Sequence, residues 1–274
     1  MIETAKKASD KVIVLINTAN AVEIGDLKND PDIDAILWIG LPGCYGMLGV
    51  ADILCGRVSP SGAMSDIYAT YNMSAPAMQN MGNFTYTNAE DVVTRAKSQN
   101  YIIEAEGIYV GYRYYETRYA DAVNGVGNAA SPVGAYASST EWNYDNEVTY
   151  GFGYGLSYTT FEQTMGDLNV ADGKISVDVT VTNTGDTAGK DVAELYYNPP
   201  YTNGGIEKAS ANLIAFDKTD LLQPGESQTL TLSFDIQDMA SYDDTGYGCY
   251  VLEAGDYIIS LKSDSHNVID SRTY

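Results

Sequence analysis

The sequence predicts two architectures in series, an α/β unit on a partial parallel sheet and then an all-β sandwich. Two short β-branched runs, Lys11 to Asn17 (KVIVLIN) and Ala35 to Ile39 (AILWI), have the continuous apolar texture of strands buried on both faces of a parallel sheet. Past Phe161 the texture changes to alternation with a period of two, the mark of half-buried antiparallel strands. Turn residues cut that second region at regular intervals. A chain of 274 residues has room for two such domains.

The elements follow in order. Ile2 to Ser9 (IETAKKAS) reads as a helix leading into the first strand, and the polar stretch Ala21 to Asp32 separates the two apolar runs. After the second run, Met47, Val50, Ala51 and Leu54 recur at helical spacing between Tyr45 and Cys55, and Gly56 supplies a helix stop. Two parallel strands are few for a doubly wound sheet, so further strands are expected upstream of Met1. Ser59 to Tyr101 reads as an extended surface segment with a helix near Ala89 to Ser98, Ile108 to Tyr115 (IYVGYRYY) as an aromatic strand, and Asp121 to Glu147 as a small-residue excursion. In the second region Ile175, Val177, Val179 and Val181 share one face, as do Leu230, Leu232, Phe234 and Ile236, and then Tyr257, Ile259 and Leu261. Asn183-Thr184-Gly185, Gln223-Pro224-Gly225 and Ala254-Gly255-Asp256 mark turns. Both tryptophans, Trp38 and Trp142, lie before this region, so the Cys…Trp…Cys signature of antibody domains is missing and a fibronectin III-like (immunoglobulin-like) sandwich fits better.

Composition narrows the function classes. A net charge of −22, from 37 acidic against 15 basic residues, opposes any grip on a phosphate backbone, so no nucleic-acid partner is expected. No apolar run reaches the ~18 residues of a membrane span, and Met1 to Asp10 lacks the apolar stretch of a secretory leader; a signal further upstream in a longer exported protein is compatible with that. Cys44, Cys55 and Cys249 have neither disulfide-framework nor zinc-site spacing, and no metal or cofactor is expected.

Three segments resemble family 3 glycoside hydrolases. Ala35 to Gly62 (AILWIGLPGCYGMLGVADILCGRVSPSG) is similar to the family's strand, Pro-Gly turn, helix and Pro-Ser-Gly run, departing from it at Cys44-Tyr45 and, one residue beyond, at Ala63. Glu106 to Glu116 (EGIYVGYRYYE) resembles the EGI-x-VGYRYY signature, and Tyr150 to Phe161 (YGFGYGLSYTTF) the FGYGLSYT-x-F motif, with Gly151 where Pro is usual. Gly153 and Gly155 alternate with Phe152, Tyr154 and Leu156, which suits a structural joint where backbone approaches closely on one face while aromatics pack on the other. The resemblance implies that residues 1–161 are the second half of the family's carboxy-terminal α/β sandwich with an interdomain segment, and that 162–274 are its fibronectin III-like domain. It further implies a β-glucosidase-like parent enzyme that hydrolyses O-glycosyl bonds with retention.

Retaining hydrolysis needs two carboxyl groups about 5 Å apart. In the resembled family the nucleophilic Asp belongs to a catalytic barrel and the acid/base Glu lies upstream of the stretch matching Lys11 to Asn17, so no catalytic residue is assigned and the chain alone is expected to be inactive. Glu104 and Glu106, two apart, could share a face of a strand, but a turn anchor or an Arg113 pair suits Glu106 better and a solvated position suits Glu104. His266, the one histidine, sits in a polar SDSHN tail and reads as a surface residue. Eleven of the 23 tyrosines fall between Tyr101 and Tyr158, an aromatic surface suited to a missing barrel or to a sugar, with Tyr112, Arg113 and Trp142 as candidates for the cleft rim. The rival expectation is a stand-alone carbohydrate-binding or scaffolding module whose working face is that tyrosine-rich surface.

Overall fold

The computed structural model describes residues 1–79, 85–92, 104, 106–125 and 142–274. The amino-terminal region opens with α1 (Ile2–Ala8), β1 (Ile13–Ile16), α2 (Gly25–Lys28), β2 (Ala35–Trp38) and α3 (Gly43–Leu54). β1 and β2 pair in parallel, with Ile13 opposite Ala35 and Ile16 opposite Trp38. Asp34 fixes the entry to this pair by accepting the Val12 N–H at 2.8 Å and the Lys11 ammonium at 2.7 Å. α3 ends at Gly56, whose φ of +69° is the left-handed geometry that closes a helix.

The expected burial of the first strand on both faces is not found. Ile13 and Leu15 are exposed, and along α3 only Val50 is buried while Met47, Leu48 and Leu54 face solvent. The apolar pattern forms the strands and helix it predicts, but packing among the described residues buries only part of it.

The chain continues through β3 (Tyr68–Ala69), α4 (Pro76–Gln79), α5 (Ala89–Val92), α6 (Tyr112–Asn124), α7 (Tyr144–Glu147) and β4 (Val148–Tyr150). Ser59 to Tyr101 is not wholly a surface segment, because Ile67, Tyr68 and Ala69 are buried and β3 pairs antiparallel with β4. α5 begins the helix expected at Ala89; residues 93–98 of that expectation, and 126–141 of the small-residue excursion, lie outside the described residues.

The expected strand at Ile108 to Tyr115 is instead a turn followed by a helix. Gly111, at φ +59°, reverses the backbone and α6 starts at once. Tyr114, Arg118 and Asp121 then fall on one buried face at i, i+4 and i+7. The aromatic run hid this period because four of the six positions described as buried in the helix, Glu116, Thr117, Arg118 and Asp121, are polar.

From Phe161 onward the sandwich follows the predicted alternation, except that β10 ends at Asp235 and Ile236 opens a short 3₁₀ turn. One sheet has β10 (Ser227–Asp235), β7 (Lys174–Asn183) and β5 (Phe161–Met165) in that order, with β6 (Asn169–Ala171) also on β7. The other runs β14 (Val268–Thr273), β13 (Ile258–Lys262), β8 (Val192–Asn198), β9 (Asn212–Lys218). A separate hairpin pairs β11 (Ser241–Asp243) with β12 (Cys249–Val251). The inward residues Ile175, Val177, Val179, Val181, Leu195, Ile259 and Leu261 are all fully buried in one core, with Leu230, Leu232 and Phe234 joining from β10. At roughly 25 cal/mol per Å² of apolar surface removed from water, each such side chain stabilises the domain by about 1.5–3 kcal/mol. Among the described residues no helix is long and apolar enough to cross a membrane.

Candidate functional site: an aromatic and carboxylate joint

The segments that stand out in the sequence converge on one place, where α6, α7 and residues 150–161 meet the sandwich. The FGYGLSY segment is held by backbone pairing on both sides. Gly153 N–H donates to the Met64 carbonyl and Met64 N–H to the Tyr154 carbonyl, both at 2.8 Å, while Ser265 N–H donates to the Phe152 carbonyl at 2.8 Å. A Cβ on Gly155 would fall 2.4 Å from the Gly62 carbonyl oxygen, and one on Gly153 would fall 2.5 Å from a Glu194 carboxylate oxygen. Close approach therefore requires glycine at both positions.

α6 supplies the centre of the joint. Glu116 is buried and its Oε1 accepts the Tyr144 hydroxyl at 2.6 Å and the Ser265 hydroxyl at 3.0 Å, while Oε2 lies 2.9 Å from His266 Nδ1. The His266 ring stacks on Tyr144 with centroids 3.7 Å apart and planes 10° from parallel, and Tyr119 meets it edge-on at 4.5 Å. His266 is thus not the solvated tail residue the sequence suggested. The Asp264 carboxylate accepts the N–H groups of His266 and Asn267, which turns the chain back and swings the imidazole onto α6 and α7. The next residue of α6, Thr117, accepts the Ser210 N–H at 3.0 Å.

A second buried layer lies below. Glu194 accepts the Tyr196 hydroxyl at 2.7 Å, and burial pushes its carboxyl up to about 7, the Tyr196 hydroxyl opposing that rise. Lys262, also buried, donates to the Ser265 carbonyl at 2.8 Å and sits over the Tyr196 ring; burial lowers its pKa while Glu116 and Asp264 oppose the fall. Glu147, on α7, is raised to about 7, again first by burial and against the pull of Arg118. A cavity of about 690 Å³ opens beside this layer, lined in part by Ser61, Gly155, Leu156, Gln163, Asp191 and Glu194. Among the described residues no group of His, Cys, Asp and Glu is arranged to hold a metal ion.

Of the three candidates for the cleft rim, Tyr112 stacks on Phe152 at 4.6 Å, meets Tyr196 edge-on and accepts the Leu213 N–H at 2.9 Å. Trp142 is buried, edge-on to Tyr144, with the Arg118 guanidinium 5.6 Å from its ring, and Tyr112 packs on the margin of the same cluster. Arg113 is exposed. Glu104 is exposed, whereas Glu106 is partly buried and its carbonyl accepts the Tyr109 N–H, a turn. Sequence reasoning missed Glu116, Tyr144, Glu194 and His266 as joint residues. Only the adjacency of Glu116 to the EGIYVGYRYY segment could have signalled any of them.

The joint is built from segments shared with known proteins. Residues 1–158 match the glycosyl hydrolase family 3 C-terminal domain and residues 191–265 the fibronectin type III-like domain. The chain is 34% identical to β-glucosidase A of Butyrivibrio fibrisolvens, across 94% of this chain and 28% of that protein, and 32% identical to a β-glucosidase of Ruminococcus albus, across 93% and 23%. Among solved structures, a β-glucosidase from Paenibacillus barengoltzii superposes with a TM-score of 0.78 at 35% identity, over all of this chain and 26% of that one. β-Glucosidase 3B from Thermotoga neapolitana, in complex with glucose, gives 0.73 at 33%, over all of this chain and 32% of that one. The chain therefore spans about a quarter to a third of the length of these relatives. Its matched domains, in this order and over most of its length, place it in glycosyl hydrolase family 3, as the carboxy-terminal part with its fibronectin III-like domain.

Proposed function

We propose that this chain is the supporting, non-catalytic part of a retaining hydrolase of β-linked glucosides, dividing at 161/162 into a half α/β sandwich and a fibronectin III-like domain. One observation carries the reading beyond kinship: the apolar turn and helix after β2 are uncovered, with Leu41, Tyr45 and Leu48 exposed by 73%, 87% and 69%. Clustered apolar exposure of this kind marks an interaction face. Its occupant in this reading is the remainder of the sandwich and the catalytic barrel, which supply the two carboxyl groups that retention needs about 5 Å apart.

In this role the chain contributes a rigid wall. The Ser265 and His266 contacts with Glu116, and those of Tyr196 and Leu213 with Tyr112, lock the sandwich to α6, and Tyr112, Arg113 and Trp142 form the margin nearest a cleft, with Arg113 the exposed one. The module reading keeps a smaller surface, since Tyr114, Tyr115 and Tyr144 are buried in the chain's own core while Tyr119 and Tyr158 are exposed. The test is hydrolysis of an aryl β-glucoside by the purified 274-residue protein. No turnover alone, with turnover when the chain is joined to a family 3 barrel and the first half of its sandwich, supports the reading; steady turnover by the chain alone overturns it.

A further inference from the structure

The β11–β12 hairpin, remote in sequence from the joint, holds three tyrosine rings out into solvent. Tyr242, Tyr247 and Tyr250 are exposed by 50%, 81% and 74%. Such exposure would be unremarkable on a loose loop, but this loop is built to present it. The Asp243 carboxylate turns inward, where Oδ1 accepts the Gly246 N–H at 2.9 Å and Oδ2 the Tyr247 N–H at 2.8 Å. Gly246 has no room for a Cβ, which would fall 2.5 Å from the same carboxylate, and Gly248 turns the chain at φ +64°. The Tyr242 hydroxyl donates to the Gly248 carbonyl across the loop, and the Tyr242 and Tyr250 rings meet at 5.3 Å and 74°.

We propose that this hairpin is a binding site for a neutral β-linked glucan. Three considerations select the occupant. Taking about 200 Å² for a fully exposed tyrosine, the three rings offer about 400 Å², half of the ~800 Å² per partner that a stable protein interface buries. That area suits a short run of sugar rings, whose C–H faces pack on aromatic faces while their hydroxyls bond to the phenols and to the exposed Asp244 carboxylate. The hairpin segment Ser241 to Val251 carries two aspartates and no cation, and the chain carries a net −22, so an anionic polymer is repelled. The choice of a β-glucan over other neutral glycans rests on the function proposed above.

The test is affinity electrophoresis of the full chain through gels containing soluble β-glucan, with starch and xylan gels beside them. Retardation by the β-glucan is expected, weakening roughly tenfold for each of Tyr247→Ala and Tyr250→Ala, with Tyr247→Phe close to the parent because the ring is kept. Circular dichroism and gel filtration of each variant report folding and oligomeric state. No retardation, retardation unchanged in Tyr247→Ala and Tyr250→Ala variants that remain folded, retardation confined to starch or xylan, or a dimer that the alanine variants dissolve each overturns the proposal. The assay reads binding alone, so its failure leaves the support function standing, and turnover by the isolated chain would leave this binding measurable.

Discussion

Gly153→Ala separates backbone strain from close packing at the joint. Gly153 lies at φ +84°, and a Cβ there would fall 2.5 Å and 3.0 Å from the two Glu194 carboxylate oxygens. The left-handed backbone costs a non-glycine residue about 1–2 kcal/mol. Displacing a buried carboxyl from the Tyr196 hydroxyl adds about 1–3 kcal/mol, the cost of leaving a buried polar group unpaired. The expected loss is therefore about 2–5 kcal/mol. Gly225, at φ +79° with nothing within 4 Å of its would-be Cβ, isolates the first contribution, so Gly225→Ala is expected to cost only about 1–2 kcal/mol. Urea unfolding followed by tyrosine and tryptophan emission measures both, and the cycle with Glu194→Ala isolates the contact. In that background the penalty of Gly153→Ala should fall to that of Gly225→Ala. Equal penalties for the two glycines in the parent chain, or an undiminished Gly153 penalty without the Glu194 side chain, would refute the close-approach account.

The remaining predictions concern pH, the core, the Glu116 cluster and the uncovered face. Burial raises the Glu194 carboxyl from 4.5 to about 7, so the folded chain binds a proton the unfolded chain has lost; the stability tied to that proton is complete below about pH 4.5 and is lost as pH rises to about 7. The loss is at most about 3.4 kcal/mol at 1.36 kcal/mol per pH unit, and Glu194→Gln should flatten that part of the stability profile. Leu195→Ala, in the sealed sandwich core, should cost about 3–5 kcal/mol in urea unfolding. Tyr144→Phe removes one of the two hydroxyls bonded to Glu116 Oε1 and should cost about 1–2 kcal/mol, with His266→Ala costing more because it also removes the stacked ring. Leu48→Asp on the exposed side of α3 should leave unfolding within about 0.5 kcal/mol while reducing self-association in sedimentation velocity.

The parts of this fold that were legible in the sequence are those where one period governs burial. Ile175, Val177, Val179 and Val181 alternate on β7 and are sealed in the core on one face, because a half-buried strand has no other way to satisfy both sides. α6 was illegible for the opposite reason. Glu116, Thr117, Arg118 and Asp121 are buried through hydrogen bonds and ion pairing that pattern reasoning assigns to solvent, which left only the β-prone tyrosines to be counted. His266 was misread because its partners are 122 and 150 positions away in the chain, at Tyr144 and Glu116, and no local pattern encodes them. Gly153 and Gly155 were legible, since alternating glycine and aromatic residues have a local steric meaning that survives without knowledge of the partner.

The Glu116 joint has a kinematic consequence. Swinging the fibronectin III-like domain as a lever would have to break the Ser265 and His266 contacts with Glu116, unstack His266 from Tyr144, part Tyr112 from Tyr196 and free the Leu213 and Ser210 amides, all together. Contacts that must fail in concert make a weld where a hinge would need contacts that fail one at a time. Any opening and closing around a substrate in an enzyme that contains this part therefore has to pivot elsewhere, with these two domains carried as a single piece.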